Sequence, residues 1–329
     1  MTDTVLGSCA IEFRNKEPAR ELIEEAGFQF LYSPGKAPWP DDETREKLAG
    51  FAAIIAGGEN FTPRTMELAE NLKIIARNGV GYDSVQLDAC TERGIVVTNT
   101  PGAMADAVAD HAMALLLATV RNIVPGDQSV KSGNYNVEIS EDLCSMTLGL
   151  FGCGHIGAEV VRRARGFKMR VLVHDPYIDP EKLEEIGAVP VSRQKILAES
   201  DVISLHLPMS DENAEFVNAD FLATMKPGSY LINTARGKLI DEKALIDALS
   251  SEHLAGAGLD CQATEPPVGT SLELVQMPRV VAMPHSASST TTARERMSIV
   301  AAESIVDCLQ GRIPKFVVNR QVLEQLDLT

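Results

Sequence analysis

The run Leu148-Gly149-Leu150-Phe151-Gly152-Cys153-Gly154-His155-Ile156-Gly157 sets three glycines between an apolar stretch and a helical pattern from Ala158 to Arg165. Asp175 follows Gly157 by 18 residues, at the end of a second apolar run from Met169 to His174. This order predicts a strand, a tight turn, a helix, and a second strand ending on an acid. In such a unit the first glycine permits the turn, the second lets backbone N–H groups approach a pyrophosphate, and the third lets the helix pack close to the strand. The helix N-terminus adds its unpaired N–H groups, which favour an anion. An acid at the second strand end can accept hydrogen bonds from ribose hydroxyls. Glycines also mark ordinary turns, so it is the sequence on both sides that assigns Gly152, Gly154, Gly157 and Asp175 to a dinucleotide site.

Around this unit the chain alternates short apolar runs with amphipathic stretches, the pattern of βαβ units on parallel sheets. From residue 5 to about 100 the apolar runs include 52–56, 73–76 and 95–98, and the amphipathic stretches include 19–26, 43–48, 66–72 and 87–93. Gly27 and Gly94 stand where helices would end. This part has no Gly-rich phosphate loop. After Thr100-Pro101-Gly102, residues 103–121 predict a long helix that is apolar on most faces and must therefore be buried, against the rest of the chain or a second copy. Beyond it, strands are expected at 148–151, 169–174, 201–205, 229–233, 255–259 and 280–283, and helices at 155–166, 194–200, 218–225 and 241–250. Residues 289–310 predict a last long helix, followed by a short extended return too short for a third domain. The fold class expected is α/β, with two doubly wound parallel-sheet domains and a cleft between them. One is discontinuous (1–101 and 291–329) and one carries the glycine turn (102–290).

Size and charge narrow the function. The 329 residues suffice for two cores, with 45% apolar and 23% charged residues. The formal charge of −16 argues against nucleic acid or an anionic membrane as partner, since both select basic surfaces. An anionic substrate would then need a local cation and N–H donors to overcome that field. Met1-Thr2-Asp3-Thr4 lacks the layout of a secretory signal, and no apolar stretch reaches the ~20 residues that span a bilayer. A cytoplasmic protein is expected. Six scattered cysteines, at 9, 90, 144, 153, 261 and 308, suggest neither a disulfide framework nor a metal site.

Three polar side chains follow apolar runs of the glycine-turn domain, at strand ends where open α/β sheets bind ligands. They are Arg236 after Leu231 to Ala235, Glu265 after Ala255 to Thr264, and His285 after Val280 to Pro284. An Arg fork binds a carboxylate with two parallel hydrogen bonds, His titrates near neutral pH, and Glu can orient an imidazole and raise its pKa. Each alone has an ordinary alternative: a surface or capping Arg, a solvated Glu before Pro266-Pro267, a His in a turn. Their shared placement at one sheet edge points to acid–base chemistry on an alcohol beside a carboxylate.

The segments LINTARGKLID (231–241) and AGAGLDCQATEPP (255–267), Pro284-His285, and Arg77 to Asp83 closely resemble the D-isomer-specific 2-hydroxyacid dehydrogenases, especially their phosphoglycerate dehydrogenase-like branch. The likeness runs from about residue 50 to 320. It implies Rossmann- and flavodoxin-like domains, NAD in the cleft, and a homodimer, whose interface is placed at the apolar 103–121 helix. It makes His285 the acid–base, Glu265 its partner and Arg236 the substrate clamp. Backbone N–H groups of Val80 and Gly81, with Asn78 nearby, would hold the substrate carboxylate. Gly152, Gly154, His155, Ile156, Gly157, Asp175, Leu207, Pro208, Thr234, Ala235, Asp260 and Ala287 would be cofactor contacts, Asp260 through the nicotinamide carboxamide.

Three features depart from the pattern. Ser286-Ala287-Ser288 is more polar than usual after the His, Glu265 rather than Gln disfavours the formate dehydrogenase branch, and Ile55 to Asn60 holds one acid and no cation for a phosphate. A serine-sensing domain is not expected at the C-terminus. The activity expected is reversible hydride transfer between a small anionic (R)-2-hydroxy acid and NAD, without a metal. Phosphite oxidation and an NAD-sensing corepressor are the competing classes.

Overall fold

The computed structural model describes residues 3–8, 18–33 and 38–329. Cys9 lies outside the described residues. The chain divides into two compact units, one of residues 1–104 and 289–329 and one of residues 105–288.

The first unit is built on β1 (Thr4–Gly7), α1 (Pro18–Glu25), β2 (Gln29–Tyr32), α2 (Asp41–Lys47), β3 (Ala53–Ala56), β4 (Ile74–Arg77), α3 (Leu87–Glu92) and β5 (Val96–Thr98). Its five strands pair in the order β2-β1-β3-β4-β5, with every pairing parallel. That is the flavodoxin-like order. β3 is buried along its whole length, as a strand covered on both faces must be. Gly27 and Gly94 take φ of +90° and +68° just past α1 and α3, the left-handed conformation that ends helices.

The amphipathic stretch 66–72 does not form a helix. Residues 63–68 are turns, and the stretch is closed by short-range backbone bonds, with the Glu67 N–H donating to the Arg64 carbonyl (3.3 Å), Ala69 to Met66 (3.1 Å) and Leu72 to Ala69 (3.3 Å). At its start the Thr65 hydroxyl donates to the Asn60 carbonyl (2.8 Å) and accepts the Thr62 N–H (2.9 Å). Such side-chain bonds compete with the helical ladder.

The second unit comprises α4 (Ala105–Val120), α5 (Ile123–Lys131), β6 (Thr147–Phe151), α6 (His155–Gly166), β7 (Arg170–His174), α7 (Pro180–Glu185), β8 (Val189–Pro190), α8 (Arg193–Glu199), β9 (Val202–Leu205), α9 (Ala219–Thr224), β10 (Ser229–Asn233), α10 (Glu242–Ser250), β11 (Leu254–Leu259), α11 (Thr270–Val275) and β12 (Val280–Ala282). Its seven parallel strands run β12-β11-β10-β9-β6-β7-β8. The chain winds outward from β6 through β7 and β8, then returns to β9 and winds the other way. The switch point thus lies between the ends of β6 and β9, where doubly wound sheets bind ligands. The chain then re-enters the first unit as α12 (Thr291–Leu309), whose Ala301, Ala302 and Ile305 join that unit's core. The tail is not simply extended: one antiparallel bridge ties Val317 to Thr98, and residues Arg320–Gln325 form a 3-10 turn.

The apolar helix expected at 103–121 is α4. Ten of its 16 residues are buried, and Met113, Leu115, Leu116 and Val120 join a core with β6, α6 and β7 of the same unit. These side chains are buried in the single chain, without a second copy. Asn122, at φ 51°, breaks the helix, and α5 leaves at 60°. Exposed apolar side chains gather instead in α5 and the segment after it: Ile123, Val130, Tyr135, Val137 and Ile139. Among the described residues no single helix is long and apolar enough to cross a membrane.

Candidate active site

The glycine turn is packed as its spacing predicts. Gly152 takes φ +87°, and a Cβ there would come within 2.6 Å of the His206 carbonyl oxygen at the end of β9. A Cβ on Gly157 would come within 2.6 Å of the Gly152 carbonyl oxygen, so α6 and β6 approach at a distance only glycine permits. Nothing lies within 4 Å of a Cβ position on Gly154, which opens onto free space at the N-terminus of α6. No side chain caps that helix. Gly154 and His155 are exposed and Ile156 is half-buried. Asp175 stands just past β7, its Oδ2 accepting the Cys153 N–H (2.8 Å) and its Oδ1 the Tyr177 N–H (2.9 Å). Its carboxylate is thereby locked to the glycine turn.

Beside the turn, burial pushes the His206 imidazole down to about 4, so it is neutral. Its Nε2 lies 2.9 Å from the Ser204 hydroxyl. Leu207 is half-buried and Pro208 exposed, both at the edge that β9 shares with the turn. Arg163 pairs with Asp106, Asp110 and Glu159, so it is committed to α4 and α6 and away from the end of β7.

At the end of β10 a buried Asn233 folds the segment that carries Arg236. Its Nδ2 donates to the Arg236 carbonyl (2.8 Å) and its Oδ1 accepts the Ala235 N–H (3.0 Å). The Thr234 hydroxyl is buried and has no hydrogen-bond partner among the described residues. Arg236 is half-buried, and its Nη1 donates to the Ala235 carbonyl (2.7 Å). A Cβ on Gly237 would overlap the Gln262 carbonyl, so this turn and the loop after β11 touch backbone to backbone.

That loop presents Glu265 to His285, with Glu265 Oε2 2.8 Å from His285 Nδ1 and Oε1 accepting the Gln262 N–H (3.0 Å). A buried Glu242 supports the loop from α10: it accepts the Ala263 N–H (2.9 Å) and the Ser271 hydroxyl (2.6 Å). Because a carboxylate only accepts, His285 Nδ1 carries a hydrogen and Nε2 is free to serve a substrate. The hydrogen bond that His285 donates to Glu265 holds the imidazole above its ordinary value, against the opposing effects of burial and the Arg236 charge. Burial raises Glu265, but the His285 hydrogen bond and charge, the Gln262 N–H and Arg236 outweigh it and hold the carboxyl low. The charge of Arg236 thus acts on both members of the pair. The His285 side chain remains 45% exposed.

His285 has φ +49°, a left-handed conformation uncommon outside glycine. Asp260 imposes it. The Asp260 carbonyl accepts the His285 N–H (2.7 Å), Oδ1 accepts the Ser286 N–H (2.8 Å) and Oδ2 the Ala287 N–H (3.0 Å). Asp260 is 1% exposed and Ala287 5%. Asp260 therefore holds the His285 turn through its carbonyl and both carboxylate oxygens. Burial raises its pKa, but His111 and the two amides outweigh that and hold it below the usual range.

In the first unit, Asn78 follows β4 and its N–H donates to the Ala56 carbonyl (2.8 Å). Its Oδ1 is buried without a partner. The Gly81 carbonyl accepts from Arg77 Nε (3.2 Å) and the Val80 carbonyl from Asn99 Nδ2 (2.8 Å), which fixes the backbone of this loop. The acid in the loop after β3, Glu59, is fully buried.

The family profile "D-isomer specific 2-hydroxyacid dehydrogenase, NAD binding domain" matches residues 113–287. The chain belongs to the D-isomer-specific 2-hydroxyacid dehydrogenases. It is an NAD-dependent oxidoreductase of that family. Among its relatives, a glyoxylate reductase of Thermococcus litoralis is 40% identical over 313 residues, covering 92% of this chain and 94% of the relative. A D-3-phosphoglycerate dehydrogenase of Archaeoglobus fulgidus is 36% identical over 315 residues, which is 93% of this chain but 60% of that longer protein. The crystal structure of a glyoxylate reductase from Paecilomyes thermophila superposes with a TM-score of 0.86 at 30% identity, covering 97% and 99% of the two chains.

The residues of this dehydrogenase fit NAD. The open face at Gly154, the uncapped N-terminus of α6, the locked Asp175 and the orphaned Thr234 hydroxyl all lie at the carboxyl edge of one sheet, where a dinucleotide would find donors and an acid for its ribose. Asn233, Gln262, Glu242 and His111 were not legible as site residues. Their roles depend on contacts between segments distant in sequence, and no local motif marks them.

Proposed function

We propose that this dehydrogenase reversibly reduces a small, unphosphorylated 2-oxo acid to the (R)-2-hydroxy acid, with the 105–288 unit holding NAD and the other unit contributing to substrate binding. The observation that carries this reading is the His285–Glu265 pair at 2.8 Å under the charge of Arg236. Bound nicotinamide supplies the hydride in one direction and accepts it in the other. His285 Nε2 gives its proton to the substrate oxygen in reduction and takes it back in oxidation, while Glu265 stabilises the imidazolium. Arg236 clamps the carboxylate with its fork and polarises the adjacent carbonyl. In the other unit, the loop after β4, with Asn78 and the N–H groups of Val80 and Gly81, offers donors suited to a carboxylate. This local positive potential offsets a chain of formal charge −16.

A small acid is favoured over a phosphorylated one. The loop after β3, Gly57 to Asn60, offers no cation, and its one acid is fully buried. The similarity to glyoxylate reductases over nearly the whole chain supports the same choice. The test is a panel of glyoxylate, hydroxypyruvate, phosphohydroxypyruvate and sulfopyruvate, with NADH consumption followed by absorbance. Glyoxylate or hydroxypyruvate should give the highest kcat/KM. Preference for phosphohydroxypyruvate would overturn the substrate reading, and turnover of none would favour phosphite oxidation or an NAD-sensing role.

A further inference from the structure

The His285 turn hangs on Asp260, and Asp260 has one side-chain partner that the proposed chemistry does not use. His111, on α4, places Nε2 3.2 Å from Asp260 Oδ1. The approach is off the line of a well-formed hydrogen bond, so the contact is chiefly one of charge and dipole. The imidazole is 19% exposed and the carboxylate 1%. A carboxylate so deeply buried is costly unless its oxygens are satisfied. Two amides of the turn and His111 fill that need, and the amides are the groups that must be held.

We infer that His111 is a positioning residue for the proposed reaction: by presenting a polarised Nε2–H to Asp260 it fixes the carboxylate that grips residues 285–287, and so keeps His285 in its left-handed turn against Glu265. The inference rests on the assignment of His285 as acid–base. A carboxylate can only accept, so the His111 tautomer carrying hydrogen on Nε2 is the one required, whether or not the ring is charged. Without that donor, Asp260 loses a fixed partner at Oδ1 and can rotate away from the Ser286 N–H. The His285 turn then relaxes toward ordinary φ, and the contact with Glu265 is made for less of the time. The charged groups around the pair are Glu265, Arg236 and His285 at the turn, and Asp106 and Asp110 on α4, both paired with Arg163 of α6. Arg163 is shared with Glu159 as well, so this group on α4 and α6 keeps a net negative charge.

Two variants separate positioning from bulk packing. His111→Leu keeps volume and removes the donor, while His111→Gln restores an N–H near the place of Nε2. His111→Leu should lower kcat for the best 2-oxo acid about tenfold, the order expected for one lost polar contact. KM and the NADH dissociation constant should stay within about twofold, and His111→Gln should recover most of the rate. A second measurement needs no turnover: NMR titration of the six histidines, with His285 identified by the signal lost in His285→Ala. In His111→Leu the His285 titration should move to lower pH, because the Glu265 contact is weakened, and in His111→Gln it should return. An unshifted His285 titration in His111→Leu, or a His111→Gln variant no better than Leu, overturns the inference. If no 2-oxo acid is turned over by wild type, the acid–base assignment fails, and the shift still reports whether His111 holds the turn.

Discussion

Replacing Asp175 should narrow the preference of this dehydrogenase for NAD, and the structure predicts that Asn and Ala will do so at different cost. Asp175 accepts two backbone N–H groups, from Cys153 in the glycine turn and from Tyr177. Cys153 is 4% exposed, so water cannot easily replace the carboxylate there, whereas Tyr177 is 93% exposed and its N–H can be hydrated. In Asp175→Asn the remaining oxygen can keep the Cys153 bond while the amide nitrogen turns toward Tyr177. Stability should fall little. In Asp175→Ala the Cys153 N–H is left unsatisfied, a loss of about 1–3 kcal/mol. Both variants lose a charged acceptor for the adenine ribose, worth about 1.5–3 kcal/mol, or roughly ten- to hundredfold in kcat/KM for NADH. Both also remove the charge that would repel a 2′-phosphate, and neither Pro176 nor Tyr177 supplies a cation in its place. The NADPH value should therefore hold or rise while the NADH value falls. Steady-state kinetics with each cofactor, alongside thermal unfolding, tests both parts. Wild type favouring NADPH, or Asp175→Asn leaving the ratio unchanged, would refute the reasoning.

Arg236→Lys should raise KM for the 2-oxo acid and lower kcat, because a point charge cannot reproduce the two-pronged contact with a carboxylate, while NADH binding measured by fluorescence stays near wild type. A homodimer is expected in solution. Light scattering should give twice the 35.5 kDa chain mass, and Val137→Asp with Ile139→Asp should shift it toward monomer, since these exposed apolar side chains need a cover that α4 does not. A wild-type monomer at micromolar concentration removes this expectation.

What the sequence revealed and what it hid follow from the range of the forces involved. Strands β6, β7, β9, β10 and β11 lie within a residue or so of where their apolar runs place them, because each is a short apolar segment bounded by turn residues. The glycine turn was equally legible, since its φ and close approaches are local demands that only glycine meets. Helix α5 was not legible, since it contains Pro125 and Gly126, two residues of low helix propensity. The stretch at 66–72 misled for the opposite reason: its apolar spacing is helical, but its backbone closes in successive three-residue turns, Ala69 to Met66 and Leu72 to Ala69. In the site, the types of Arg236, Glu265 and His285 and their places at strand ends announced their chemistry. The hold of Asp260 on the His285 turn did not show, since it requires His111 from α4 and the turn after β12 to meet at one carboxylate. The burial of Glu59 was hidden in the same way, because a carboxyl in a loop reads as solvated until its surroundings are known.

The central claim is that His285, charged with the help of Glu265, gives the proton in reduction. The pH dependence of kcat/KM for 2-oxo acid reduction, compared between wild type and Glu265→Gln, tests it most directly. Imidazolium is the active form in reduction, and Glu265 raises the folded pKa of His285. The rate should therefore be full at low pH and fall as pH rises through that raised value, above the ordinary ~6.5 of histidine. Oxidation, which needs the neutral ring, should rise over the same range. In Glu265→Gln the neutral amide no longer favours the charged ring, so the alkaline limb of reduction should move to lower pH, while His285→Ala should lose roughly 10²- to 10⁴-fold in turnover and the limb with it. A limb that stays in place in Glu265→Gln, or a His285→Ala variant that keeps near-normal rates, would contradict the account.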